Sequence, residues 1–173
     1  SGSIKINTNI NILGDTNYEA KELTINADAS NMFGTSSNHA TTTISKLSGT
    51  SFKDIYIDET DAIELNFDSA QVINVSITEG SVNVLKDLSI TGDMDIVTQG
   101  ASDITFAGTL TVSDSNVNLQ AGKAITFSGD VSLSGVGKTL SAQATTEDIT
   151  VATSLTTQNS DVSLVTNANI NLG

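Results

Sequence analysis

The feature that most constrains this chain is an internal repeat with a period near 22 residues. In the second half, short segments carry two apolar residues separated by one polar residue, the alternation typical of a strand with one buried face. Every third segment is equivalent: Ile104, Ile125, Ile149 and Ile170 are 21, 24 and 21 positions apart. Four successive units share this three-segment plan. Such a period predicts stacked structural repeats.

Three short strands in each 21–24 residues predict an all-β fold, a parallel β-helix or β-solenoid. Each strand is expected to pair in parallel with its equivalent in the coils above and below. Proline is absent, which fits central strands that need every backbone N–H. Asn-Gly and Asp-Gly hairpin dipeptides are also absent. The predicted strands of the regular half are 104–106, 110–112, 117–119, 125–127, 131–133, 140–142, 149–151, 155–157, 162–164 and 170–172.

Regularity divides the chain into two parts of one continuous solenoid. Residues 81–173 form regular coils, whereas residues 1–80 form less regular coils with an extended loop or irregular coil near 26–43. Loops that leave a solenoid are frequent places for function, so 26–43 is the first candidate segment. His39 lies within it and is expected to be solvated. The chain starts without methionine and stops directly after a strand-like segment, so we expect a fragment of a longer protein.

Composition excludes several functional classes. Thr, Ser and Asn supply 62 of 173 residues, and 20 acidic residues against 7 lysines, with no arginine, give a formal net charge of −13. This charge argues against nucleic-acid binding and against contact with an anionic membrane surface. The absence of cysteine excludes disulfides and thiolate metal sites. No apolar run reaches the roughly 20 residues that a membrane-spanning helix needs, so no membrane insertion is expected.

The densest acidic segment is the candidate metal site. It contains Asp54, Asp58, Glu59, Asp61 and Glu64, and we expect these carboxylates to point outward because Ile55 and Ile57 point inward. Asp54, Asp58 and Asp61 are the candidate calcium ligands, since calcium prefers carboxylate oxygens. The alternative is a solvated acidic face. A second candidate is 92–95, which contains Asp93 and Asp95.

Four aspartates precede predicted strands at similar positions. They are Asp103, Asp130, Asp148 and Asp161. We interpret them as corner residues rather than as the paired carboxylates of a hydrolase, which need a defined separation. No catalytic or cofactor-binding residue is predicted, and the chain is expected not to be an enzyme.

Ile104–Val112 and Ile125–Leu133 resemble units of large bacterial surface exoproteins, namely filamentous-haemagglutinin-like adhesins and autotransporter passengers. The resemblance covers about 82–172 and implies a right-handed parallel β-helix, export as an unfolded chain and an extracellular or cell-surface location. It carries over no binding residue, because these units contain scaffold positions only.

These observations predict a non-enzymatic adhesin or structural module that presents an acidic polar face. Its expected partner is a ligand or glycan on a host or neighbouring cell. The alternative is a self-assembling surface layer, sheath or coat, whose partner is a second copy. A carbohydrate-active β-helix enzyme is a third possibility.

Overall fold

The structure is a computed structural model that describes residues 2–6, 11–12, 18–25 and 30–173. The described residues form 21 β-strands and no helix. All pairings between these strands are parallel, and they build two sheets that wrap around one apolar interior. The predicted β-solenoid is therefore confirmed.

One side of each coil belongs to a nine-stranded sheet that runs the length of the described chain. Its strands, in spatial as well as chain order, are β1 (Ser3–Ile6), β4 (Glu22–Ile25), β7 (Lys46–Gly49), β9 (Ile63–Asn66), β11 (Val82–Val84), β14 (Ile104–Phe106), β17 (Ile125–Phe127), β19 (Ile149–Val151) and β21 (Ile170–Leu172).

The other two sides belong to a twelve-stranded sheet that bends around a corner. Its strands are β2 (Asn11–Ile12), β3 (Tyr18–Ala20), β5 (Met32–Phe33), β6 (Ala40–Ile44), β8 (Ser51–Glu59), β10 (Ser69–Ile77), β12 (Leu88–Ile90), β13 (Met94–Thr98), β15 (Leu110–Ser113), β16 (Val117–Ala121), β18 (Val131–Ala144) and β20 (Leu155–Thr166). Strand β10 spans the corner, because its first residues pair with β12 and its later residues pair with β13.

The register confirms the repeat that the sequence predicts. Ile104, Ile125, Ile149 and Ile170 are successive partners in the nine-stranded sheet. All ten predicted strands of the regular half lie within strands of the structure. Because each strand pairs with its counterpart one coil later, a residue on the outer surface has neighbours about 21 positions away in sequence.

Two pairs of predicted strands are each continuous in the structure. The segments predicted at 131–133 and 140–142 belong to the single strand β18, and those at 155–157 and 162–164 belong to β20. The pairing of β18 with β20 shifts register between Ser134 and Lys138. Gly135 and Gly137 have φ of 130° and 68°, so the backbone changes direction there without ending the sheet.

The core is a continuous column of aliphatic and phenylalanine side chains. Along β14 and β17, the outer two residues of Ile-Thr-Phe point inward and the threonine points outward. Phe106 and Phe127 stack with ring centroids 5.1 Å apart. Burying each such side chain contributes about 1.5–3 kcal/mol. This column fixes which side chains face solvent on all three sides.

Residues 30–44 form an irregular coil that pairs with β8. Phe33 pairs with Ile55 and Ala40 pairs with Ile57. Six residues, 34–39, therefore lie opposite one residue, Tyr56. The part of the predicted loop at 26–29 lies outside the described residues.

Candidate functional site

Aspartates at the coil corners join one coil to the next. In each case a carboxylate oxygen accepts a hydrogen bond of 2.8–3.2 Å from the backbone N–H that precedes a strand of the next coil. The pairs are Asp87 with Thr109, Asp93 with Asn116, Asp103 with Ala124 and Asp148 with Asn169. These bonds satisfy backbone donors where the sheet is interrupted.

Of the aspartates singled out by sequence, Asp103 and Asp148 follow this arrangement. Asp130 accepts a 2.8 Å hydrogen bond from the Ser154 hydroxyl. That bond lowers the pKa of Asp130, and the Asn169 backbone N–H lowers the pKa of Asp148. Asp161 is different, because it lies inside β20 and pairs with Thr139.

The flat sides of the coils carry mainly hydroxyl and amide side chains. On the nine-stranded sheet the outward residues of consecutive coils are Asn83, Thr105, Thr126, Thr150 and Asn171. On the first side of the twelve-stranded sheet they are Ser89, Thr111, Ser132 and Thr156. Such surfaces offer both hydrogen-bond donors and acceptors at the spacing of adjacent strands.

The structure does not bring the candidate calcium ligands together. An Asp58 carboxylate oxygen lies 3.0 Å from His39 Nδ1, within hydrogen-bond and ion-pair distance. Asp61 follows the end of β8, and its backbone N–H donates a hydrogen bond to Glu59. Asp54 lies near the start of the pairing between β8 and β5. No group of three or more His, Cys, Asp or Glu side chains in the described part of the chain is placed to hold a metal ion.

The expectation that every carboxylate of this acidic segment points outward is wrong for Glu59. Its side chain is 2% exposed, because it continues the inward positions of Ile55 and Ile57 along β8. One carboxylate oxygen accepts bonds from the Thr42 hydroxyl and from the N–H of Ile44 at 3.1 Å. The other accepts bonds from the N–H groups of residues 60 and 61 at 3.0 and 3.4 Å.

Burial raises the pKa of the Glu59 carboxyl, and these hydrogen bonds act in the opposite direction. Both oxygens are occupied by donors of the protein itself. Glu59 therefore closes the interior of the irregular coil and leaves no lone pair directed at a ligand.

On the outer surface, the irregular coil contacts Tyr56 and Asp58 through His39. The 34–39 turn is closed by two backbone hydrogen bonds between Thr35 and Asn38, at 2.9 and 3.0 Å. Its last residue, His39, lies 5.5 Å from the Tyr56 ring between centroids and 3.0 Å from an Asp58 oxygen. His39 is thus held between two neighbours and is not simply solvated.

Beside Tyr56, the outer surface of the next coils forms a groove. Its lining includes Tyr56, Asn74, Asp93, Asp95, Asn116 and Asn118. Asp95 Oδ1 accepts a 2.8 Å hydrogen bond from the Asn118 amide, and Asp93 Oδ1 accepts bonds of 2.8 and 3.3 Å from the backbone and side chain of Asn116. Burial, together with the charges of Asp54 and Asp93, raises the pKa of the Tyr56 hydroxyl.

Tyr56 is a candidate residue that sequence reasoning did not single out. The signal was present, because Tyr56 lies between the inward Ile55 and Ile57 and must point outward. An outward aromatic ring is unusual on a surface made of serine, threonine and asparagine. Of the predicted candidates, Asp54, Asp58, Asp93 and Asp95 lie around this feature.

None of the described residues forms a helix with the length and apolar character needed to cross a bilayer. Comparison of the chain with protein-family models, curated proteins and solved structures found no match.

Proposed function

We propose that this chain is a non-enzymatic adhesive or structural module of a secreted or cell-surface protein. It holds an acidic, hydroxyl- and amide-rich surface against a ligand on another cell or on a matrix. The stacked coils provide a rigid support, because their apolar column and parallel ladders fix the backbone on every side.

The observation that carries this proposal is that the carboxylates and the neutral polar side chains occupy different environments. The corner aspartates are engaged in bonds between coils, and Glu59 is surrounded by donors of the protein. The hydroxyl and amide groups of the flat sides, by contrast, face solvent in rows. Rows of neutral donors and acceptors suit many weak polar contacts.

An attachment assay tests the proposal. Beads coated with the protein are applied to cultured cells, bacterial cells and extracellular matrix, and beads coated with serum albumin provide the control. We expect attachment that soluble protein competes away, with no release of fragments from the surface polysaccharide. Attachment no greater than that of the albumin beads on every surface, or release of polysaccharide fragments, would contradict the proposal.

A self-assembling layer or sheath is the second candidate, favoured by exposed apolar side chains on the outer surface of β18 and β20. Val136 and Val165 are 81% and 53% exposed. A second copy that covered them would bury apolar surface. Light scattering over a concentration series separates the candidates, because a layer component grows into polymers whereas an adhesive module does not require growth.

A further inference from the structure

The groove beside Tyr56 is assembled from four coils. Tyr56, Asn74, Asp95 and Asn118 are successive register partners on β8, β10, β13 and β16. They therefore stand in one row across the stack, with neighbours about 4.8 Å apart. Val72 adds apolar surface to the lining.

Tyr56 provides an aromatic surface at one end of this row. All five phenylalanines are buried, and Tyr18 packs on the core and on Phe33. Tyr56 is the remaining aromatic residue of the chain and points outward. Its position is fixed, since the six-residue turn is inserted opposite it and His39 packs on its ring.

Asp95 and Asn118 provide oriented hydrogen-bonding groups along the row. Their mutual bond uses Asp95 Oδ1 and one N–H of Asn118. Within the described chain, Asp95 Oδ2 and Asn118 Oδ1 have no protein partner, so two acceptors remain for a ligand. Hydrogen bonds from hydroxyl donors to a carboxylate are stronger than neutral ones.

The charge of the groove selects against anions. Asp54, Asp93 and Asp95 surround it, and none of them forms an ion pair with lysine in the described part of the chain. A ligand with many neutral hydroxyl donors and an apolar C–H face matches both the acceptors and the ring. Pyranose sugars have these two properties.

We propose that this groove binds a neutral glycan, with one sugar ring packed on Tyr56 and hydroxyls of the following sugars bonded to Asp95 and Asn118. The glycan chain lies across the strands, along the axis of the stack. This inference rests on the proposed adhesive function and specifies the ligand class and the site.

The test is a titration of ¹⁵N-labelled protein with neutral hexasaccharides of glucose, mannose and N-acetylglucosamine, followed by amide chemical shifts. With at least one sugar, we expect shifts at 54–58 and at residues 74, 95 and 118. Tyr56→Ala and Asn118→Ala should each weaken binding about tenfold. Tyr56→Phe should retain most of it, because the ring remains.

Thr126→Ala is the matched control, since Thr126 also points outward but lies on the nine-stranded sheet. It should leave binding unchanged. Thermal melts of each variant establish that it is folded, and Asn118→Ala keeps the test valid if Tyr56→Ala unfolds.

Three results overturn the inference. The first is the absence of groove shifts with all three sugars at millimolar concentration. The second is salt-sensitive binding of an oligolysine peptide in the groove without sugar binding, which indicates a basic protein partner. The third is sugar binding elsewhere on the protein. Sugar binding elsewhere refutes the groove but leaves the adhesive function standing, whereas cleavage of a bound sugar refutes the adhesive function itself.

Discussion

At the scale of single residues, two kinds of carboxylate respond to pH in opposite ways. Burial raises the pKa of Glu59, so its contribution to stability is largest in acid and falls as pH rises through the raised value. Hydrogen bonds lower the pKa values of Asp130 and Asp148, so their contributions are present at neutral pH and are lost in acid. Both kinds of carboxylate therefore contribute to the stability of the fold.

Glu59→Gln tests the role of the buried carboxylate. At neutral pH the variant should lose about 1–3 kcal/mol of unfolding free energy, because the new amide nitrogen cannot accept a bond from a buried N–H. As pH falls, the native protein gains stability from Glu59 and the variant does not, so the difference should widen. Urea unfolding at several pH values measures this.

The exposed Glu79→Gln is the control for Glu59→Gln, and it should unfold at nearly the native urea concentration. A Glu59→Gln protein as stable as the native one, with a parallel pH profile, would show that the buried carboxylate contributes nothing.

Asp148→Ala tests the corner bonds. The variant loses the acceptor for the Asn169 N–H and for the Asn171 amide, at 3.0 and 2.9 Å. Its thermal midpoint should be lower than native at neutral pH. The difference should disappear in acid below the lowered pKa, where native Asp148 is also protonated; a difference that persists unchanged would refute the charge-based role.

At the scale of elements, alternation and the repeat were sufficient to predict the strands of the regular half. They could not predict that β18 and β20 continue through the corners, where Gly135 and Gly137 in β18 and Asn159 in β20 take positive φ while their neighbours stay paired. They also could not predict the contact of His39 with Asp58. The offset between partners changes from 22 at Phe33 to 17 at Ala40, so no fixed period applies there.

Gly34→Ala tests the turn that this change of register requires. Gly34 has a φ of 77°, and an added Cβ would lie 2.1 Å from the Tyr56 carbonyl oxygen. We expect a loss of more than about 1 kcal/mol of unfolding free energy. The His39 and Tyr56 resonances should also shift in an NMR spectrum.

Gly100→Ala provides a comparison for the turn variant. Gly100 also has positive φ, at 66°, but no atom lies within 4 Å of the added Cβ. It should therefore cost less than Gly34→Ala. Equal losses would indicate that backbone conformation alone, and not the contact with Tyr56, constrains residue 34.

At the scale of the whole molecule, the charge balance opposes folding. The net charge of −13 means that like charges repel one another in the folded state. The ion pairs of the described chain lie on the surface and contribute little to the free energy of unfolding. Screening should therefore stabilise the protein. We expect the thermal midpoint to rise as sodium chloride increases to physiological strength; a fall would mean that the ion pairs outweigh the repulsion.

The candidate site was only partly predictable at this scale. Sequence alternation places Tyr56, Asp93 and Asp95 on outward positions, but the row of Tyr56, Asn74, Asp95 and Asn118 depends on the register of four coils. In the irregular half the offsets between coils vary, so sequence alone did not align residue 56 with residue 74. The expectation of an outward Glu59 is wrong because alternation places residue 59 on the same inward face of β8 as Ile55 and Ile57.

The register of these coils is the central claim, and paired cysteines test it most directly because the chain has none of its own. Asn74 and Asp95 are register partners, whose Cα separation of about 4.8 Å permits a disulfide, whereas Asn74 and Asn118 are two coils apart at about 10 Å. The account predicts that Asn74→Cys with Asp95→Cys oxidises readily in the folded protein, and that Asn74→Cys with Asn118→Cys does not. Equal oxidation of both pairs, or oxidation of the second pair alone, would contradict the stacked register and the groove built on it.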